Sequence, residues 1–323
     1  MPFSRRAGVN VGLLVLVNAM WAAQYAAYKT ATQQMGPIAV SAWTFLLASV
    51  LLSLFLIRER SLSRKRAGFR GLTSTENRSK ERSFWGRRNL VGLLMVGVFG
   101  LVPASACLAW GETRSTASNA ALIYLTVPII TALLAAAILG EKMTLARWTS
   151  LAVSLAGVMV LSDFDWRHLE LASSRFLLGN VLVLLACTSS SFYNVYSKEL
   201  LRRFSPLEVL VYGYALALVV SLPLLFGAER FSFAAVATYT RATWLALFVL
   251  STLSWGLAMV LWMFLLKRLD VSQASVSIYL LPLFGVLISA ATLRERITPT
   301  MIVGGAVTLI GTVLITSTEA STR

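Results

Sequence analysis

The chain contains ten apolar runs, each close to the roughly 20 residues that an α-helix needs to cross a bilayer core. They lie near residues 9–28, 38–57, 90–110, 117–139, 144–162, 177–197, 207–227, 242–266, 272–293 and 298–316. One globular core cannot bury that much apolar sequence, because a globule of this size has too little interior. Of the 323 residues, 57% are hydrophobic and 13% charged, against about 25% charged in an ordinary soluble domain. Lipid is therefore the expected solvent. Strands of a membrane barrel would be about half as long and would alternate apolar with polar residues; these runs do neither. Most connections are short, which implies antiparallel neighbours. The expected fold is an all-α integral membrane protein with ten transmembrane helices. The first run follows Arg5 and Arg6, as a signal peptide would, but its length and its polar residues Asn18 and Gln24 favour a retained span.

The formal net charge is +15. In a soluble chain that would suggest nucleic acid. Here the basic residues sit at the ends of apolar runs, where the bilayer accounts for them, so the expected partners are the lipid bilayer and a small-molecule substrate, with no nucleic acid. With the N-terminus in the cytoplasm, 21 of the 29 Lys and Arg fall in cytoplasmic segments and 8 outside. Eleven of the 21 belong to the linker 58–89. The positive-inside rule then predicts a multi-pass protein of the cytoplasmic (inner) membrane with both termini in the cytoplasm. The linker is charged and poor in large apolar residues, which reads as flexible. It sets topology, and its basic residues could touch anionic headgroups.

The runs repeat. Shifting the second half by 154 residues places Pro128 on Pro282, Glu141 on Glu295, Thr144 on Thr298 and Gly157 on Gly311. A shift of 169 places Lys29 on Lys198 and Pro37 on Pro206; the 15-residue difference is the longer first linker. The chain thus divides into repeats of five spans, 9–162 and 177–316. An odd number of spans makes the halves cross in opposite senses, the inverted-repeat arrangement of secondary transporters.

The stretches "VPIITALLAAAILGEK" and "LPLFGVLISAATLRER", with a proline in the fourth span of each repeat and a glutamate at its end, resemble the EamA family of the drug/metabolite transporter superfamily. The resemblance covers nearly all of the chain apart from the linker. It implies a ten-helix carrier with a central cavity, moving amino acids, sugars, nucleotide derivatives, organic cations or other small metabolites. The first repeat has the familiar Gly-Glu pair at Gly140 and Glu141, whereas the second has Arg294 in place of the glycine.

The residues suggest how such a carrier could work. A proline inside a helix removes one donor and crowds the carbonyl four residues back, and in lipid that carbonyl must find a partner within the protein. Pro128 and Pro282 are thus candidate hinges beside a cavity, or static packing kinks. Glu141 and Glu295 are expected to anchor or cap helix ends, or to hold a neighbouring Lys or Arg. On a helical wheel, Asn18, Trp21, Tyr25, Tyr28 and Lys29 share one arc of the first span. Cys187, Ser190, Asn194, Ser197 and Lys198 align with them in the second repeat. A polar stripe within the membrane should face a cavity or another helix. The candidate substrate-binding residues are Asn18, Trp21, Tyr25, Trp43, Trp110, Asn119, Tyr124, Ser190, Asn194, Trp255, Ser277 and Tyr279.

Every acidic residue lies in a loop or at a span end, which argues against proton coupling through a buried carboxylate. His168, the single histidine, falls in a loop. No Walker loop, metal-spaced His/Cys cluster or nucleophile–base set occurs, so no enzyme activity, cofactor or metal is expected. Cys107 and Cys187 lie in apolar runs and are expected as unpaired thiols. The aromatic stripe suits an amino acid or related amine, whereas Lys29 and Lys198 would suit an organic anion. The expected function is an exporter or exchanger of a small polar metabolite; a carrier for organic anions or for sugar or nucleotide derivatives, a membrane enzyme and a non-transporting scaffold are the alternatives.

Overall fold

The structure is a computed structural model that describes residues 5–69, 86–162, 169–171, 173–293 and 298–318. His168, Arg294, Glu295 and linker residues 70–85 lie outside the described residues. Those that are described form helices and no strand. In chain order they are α1 (Arg5–Ala31), α2 (Pro37–Phe69), α3 (Arg87–Glu112), α4 (Ala117–Tyr124), α5 (Val127–Leu139), α6 (Leu145–Leu161), α7 (Leu177–Leu200), α8 (Pro206–Gly227), the short α9 (Phe233–Val236), α10 (Arg241–Arg268), α11 (Val271–Ser275), α12 (Leu280–Leu293) and α13 (Pro299–Thr318).

Eight segments are long and apolar enough to cross a membrane: most of α1 and α2, all of α3, Ser118–Leu139, α7, α8, α10 and Val271–Ile288. The apolar stretches Leu145–Leu161 and Pro299–Ile315 are shorter. The first has 17 residues and rises about 25 Å, short of the ~30 Å hydrocarbon core. α6 and α13, the latter 20 residues long, pack on each other along glycines. A Cβ on Gly157 would collide with Thr308, and one on Gly311 with Ser154. The 154-residue shift maps Gly157 onto Gly311 and Ser154 onto Thr308, so each contact is the repeat equivalent of the other.

The proline-bearing run near residue 128 is not one kinked helix. It breaks at Leu125 and Thr126, and Pro128 stands in the first turn of α5. A proline is tolerated there because that turn's N–H groups have no helical acceptor. Neighbours satisfy the carbonyls at the break, as lipid requires. The Tyr279 hydroxyl donates to Leu125 O at 2.8 Å, and Ser191 Oγ to Val127 O at 3.2 Å. The mirror run changes winding instead: α11 passes through a 3-10 turn, Val276–Tyr279, into α12, which carries Pro282 in its first turn. Two further irregularities are the π-helical stretches Met95–Leu101 in α3 and Leu250–Ala258 in α10. The first precedes Pro103, which cannot donate to Phe99 O.

Cross-helix caps fix the ends of the bundle. Glu229, just past α8, accepts from Ile38 N and Ala39 N of α2 at 2.7 and 2.9 Å. At the other end, Ser205 and Glu208 form a capping box at the start of α8. Arg60 of α2 reaches Glu208 at 2.9 Å and the Tyr212 hydroxyl at 2.8 Å. Arg58, Arg60, Arg87, Arg88, Arg202, Arg203, Lys267 and Arg268 gather at this basic end.

Candidate functional site

A cavity of about 140 Å³ lies between the helices of the two halves. α1 contributes Trp21, Gln24 and Tyr25, and α3 contributes Gly100, Leu101 and Ala104. Tyr124 and Val127 flank the break between α4 and α5. From the second half come Ser190, Tyr193 and Asn194 of α7, Trp255 and Met259 of α10, and Ile278 and Leu281. The wall therefore uses both π-helical stretches and both proline-bearing runs. Irregular backbone is tolerated at membrane depth where it lines a cavity. Here Tyr214 secures one such stretch by donating to Trp255 O at 2.9 Å.

Exposure falls along the cavity. Tyr25 is 54% exposed, near the C-terminal end of α1, whereas Asn194, Tyr193 and Met259 are 7% or less. The cavity is thus open toward the end remote from the basic residues and closed beneath Asn194. The closing layer is aromatic. Trp262 of α10 is fully buried, its ring 5.1 Å from that of Trp21, and its indole N–H donates to Asn194 Oδ1 at 2.8 Å. No Asp, Glu, Lys, Arg or His lines the cavity among the described residues. Its chemistry is aromatic faces, hydroxyls and neutral amides, which suits a small molecule that is neutral overall or carries a cation for the rings.

Six of the sequence-derived candidates meet at this cavity: Trp21, Tyr25, Tyr124, Ser190, Asn194 and Trp255. The other six stand elsewhere. Asn18 is fully buried and donates to Ser277 Oγ at 3.0 Å and Leu14 O at 2.8 Å, so Asn18 and Ser277 tie α1 to the 3-10 turn. Trp43 packs edge-on against Trp244, and Trp110 packs on the same apolar cluster. Asn119 donates to Asn180 Oδ1 at 3.3 Å and accepts from Glu170 N at 3.1 Å. Tyr279 secures the α4–α5 break. Gln24, Tyr193, Met259 and Trp262 are not among the substrate-binding candidates drawn from the sequence. Tyr193 lies at helical spacing from Ser190, a signal that was present; Met259 and Trp262 sit in an apolar run that gives no direction.

Glu141 is a cap, but for a helix of the other half. Gly140 ends α5 in the left-handed region, φ 70°, which glycine adopts at no steric cost. That turn delivers the Glu141 carboxylate to the start of α11. It accepts from Val271 N at 2.7 Å, Ser272 N at 3.0 Å and Ser272 Oγ at 2.6 Å. Arg147, 5% exposed, lies 3.8 Å from Glu141, donates to Ser272 Oγ at 3.0 Å and pairs with Asp270. Lys198 donates to Leu269 O beside them. This charged network closes the basic end beneath the cavity.

Comparison with known proteins places these features in a family. A solved crystal structure, 18% identical, matches with a TM-score of 0.72 over 95% of this chain and 98% of its own; at that identity the likeness is one of fold. A probable terminal-alkyne amino-acid exporter of Streptantibioticus cattleyicolor is 31% identical over 231 residues, 71% of this chain and 73% of that protein. An uncharacterized transporter of Archaeoglobus fulgidus is 27% identical over 307 residues, 95% of this chain and 97% of its own. The named relatives are transporters and not enzymes. The EamA-like transporter family model matches residues 10–163 and again 177–317. With both matches covering nearly all of a chain of long apolar helices around one cavity, the protein belongs to the EamA-like family of multi-pass membrane transporters.

Proposed function

We propose that this transporter moves a small polar metabolite, an amino acid or a related amine, across the cytoplasmic membrane by alternating access. The observation that carries this reading is the cavity itself, in which aromatic and neutral polar side chains of both halves converge without a charged group. Aromatic faces attract an ammonium group by about 0.5–2 kcal/mol. A zwitterion needs no lysine or arginine to balance it. The relative named as an amino-acid exporter supports the same substrate class. In this reading the halves 9–162 and 177–316 are inverted five-helix repeats, with α6 and α13 as the fifth and tenth spans. The breaks near Pro128 and Pro282 flex in turn, and both termini are cytoplasmic. The matched glycine contacts of α6 and α13 support the repeat, and the basic end supports the orientation.

Purified protein in liposomes is the test. Counterflow of labelled amino acids, amines, sugars and nucleosides should reveal flux confined to amino acids or their amines. Trp21→Ala should lower that flux at least tenfold, while the amount of folded protein changes little. Flux of sugars or nucleosides alone would reject the substrate class, and parallel losses of flux and folded protein would make Trp21 structural. Cysteines placed by Thr75→Cys and His168→Cys should label from opposite sides of the membrane; labelling from one side would refute the topology.

A further inference from the structure

Asn194 offers the cavity an amide, and an amide has two unlike ends: its oxygen accepts and its NH₂ donates. Trp262 decides which end faces the substrate. An indole N–H can only donate, so the atom that it meets at 2.8 Å must be the amide oxygen. Trp262 is itself fixed, fully buried with its ring against Trp21. Turning the amide over would leave a buried indole N–H facing an NH₂ group, two donors without an acceptor. The Asn194 Nδ2 atom is neither hydrogen-bonded within the protein nor fully enclosed, and Asn194 lines the cavity. The deep end of the cavity therefore presents N–H donors of fixed direction. The shallower wall presents the faces of Trp21, Tyr25 and Trp255.

We infer that Asn194 recognises the carboxylate of the substrate through its Nδ2 donors, and that Trp262 is the positioning residue that holds the amide donor-side out. This rests on the reading of the cavity as an amino-acid site. It adds an orientation: the carboxylate enters first, toward Asn194, and the ammonium remains among the rings, where cation–π attraction holds it. A hydrogen bond to a charged group is stronger than one between neutral groups. The pair thus separates an amino acid from the amine that lacks its carboxylate.

L-Phenylalanine and phenethylamine differ only in that carboxylate, and counterflow of both in proteoliposomes is the test. The wild type should prefer phenylalanine by roughly tenfold or more, the range expected for one charge-assisted hydrogen bond. Asn194→Asp replaces the donors with a carboxylate of nearly the same shape; it should abolish or invert the preference, with phenethylamine flux retained or raised. Trp262→Phe frees the amide to turn and should lower the phenylalanine-to-phenethylamine flux ratio several-fold. Asn194→Gln keeps the donors and should retain part of the preference. If Asn194→Asp fails to reach the membrane, the ratio in Trp262→Phe decides. Equal losses of both probes in the variants, or an unchanged ratio, overturn the inference. A wild type that moves both probes equally also overturns it and leaves the transport reading standing, whereas one that moves neither these probes nor any other amino acid or amine rejects the amino-acid reading on which it rests.

Discussion

At the basic end, Glu141 of the first half closes on Val271 and Ser272 of the second, with Arg147 between Glu141 and Asp270. At the far end the Glu229 carboxylate of the second half caps the start of α2, and neutral groups make the other ties: Asn119 and Ser115 meet Asn180, and Gln34 meets Thr238, Thr240 and Thr243. The two aligned lysines differ in the same way. Lys198 is tied to Leu269 O, whereas Lys29 is exposed. Breaking one partner out of a buried charged set costs several kcal/mol because the others stay buried. A neutral hydrogen bond contributes about 1 kcal/mol. Both ends thus carry a carboxylate cap across the halves, and the shut end adds a buried ion-pair network, Arg147 with Glu141 and Asp270, to its cap. On the proposed alternating-access reading, identical ties at both ends would leave the two facings balanced, and unequal ties would bias the resting population toward one of them.

The largest effect should come from Arg147→Met, which removes the cation that Glu141 and Asp270 share. A loss of about 3–5 kcal/mol is expected, read as thermal unfolding in detergent, with partial recovery when Asp270→Asn is added. Asn180→Ala, the matching lesion at the far end, should cost about 1–2 kcal/mol. Equal costs for the two would erase the distinction between the ends. Next comes the break between α4 and α5. Tyr279→Phe leaves Leu125 O without its donor, at an expected cost of about 1–3 kcal/mol. The smallest change in stability is expected from the prolines, since each stands in a first turn where proline is tolerated. Their effect should instead appear in facing. Pro128→Ala and Pro282→Ala should shift cavity accessibility toward opposite sides, measured with a cysteine placed at Ala104 and labelled from each side in turn. Wild-type labelling and flux in both would make the prolines packing features alone.

Much of this was legible in the residues. Lipid demands long apolar helices, so α1–α3, α7, α8 and α10 could be read directly. The arc shared by Trp21 and Tyr25, and by Ser190 and Asn194, pointed into the cavity as its spacing implied. A helical wheel gives direction but not depth, which is why Asn18 shares that arc yet binds Ser277 instead. Trp43 and Trp110 carry no directional signal singly, because an aromatic side chain serves a core and a cavity wall equally well. The partner of Glu141 lies 130 residues away. A carboxylate at a helix end is visible in sequence, but which helix start it meets is decided by packing. Likewise Pro128 announced irregular backbone, whereas the place of the break depends on Tyr279 and Ser191 arriving from other helices.

The short helix α6 carries a consequence for the membrane around the protein. It falls a few ångströms short of the hydrocarbon thickness, whereas α13, its neighbour across the glycine seam, has 20 residues and rises about 30 Å. The shortfall is therefore concentrated on one flank and not spread around the perimeter. Lipids on that flank must compress to meet a wall about 25 Å tall, while those beside α2, α3 and α10 meet full-length helices. The bilayer is pinched asymmetrically, at a cost of fractions of a kcal/mol per ångström of mismatch. Thinner membranes relieve that pinch, so the thickness of the host bilayer becomes a quantity to which this flank responds.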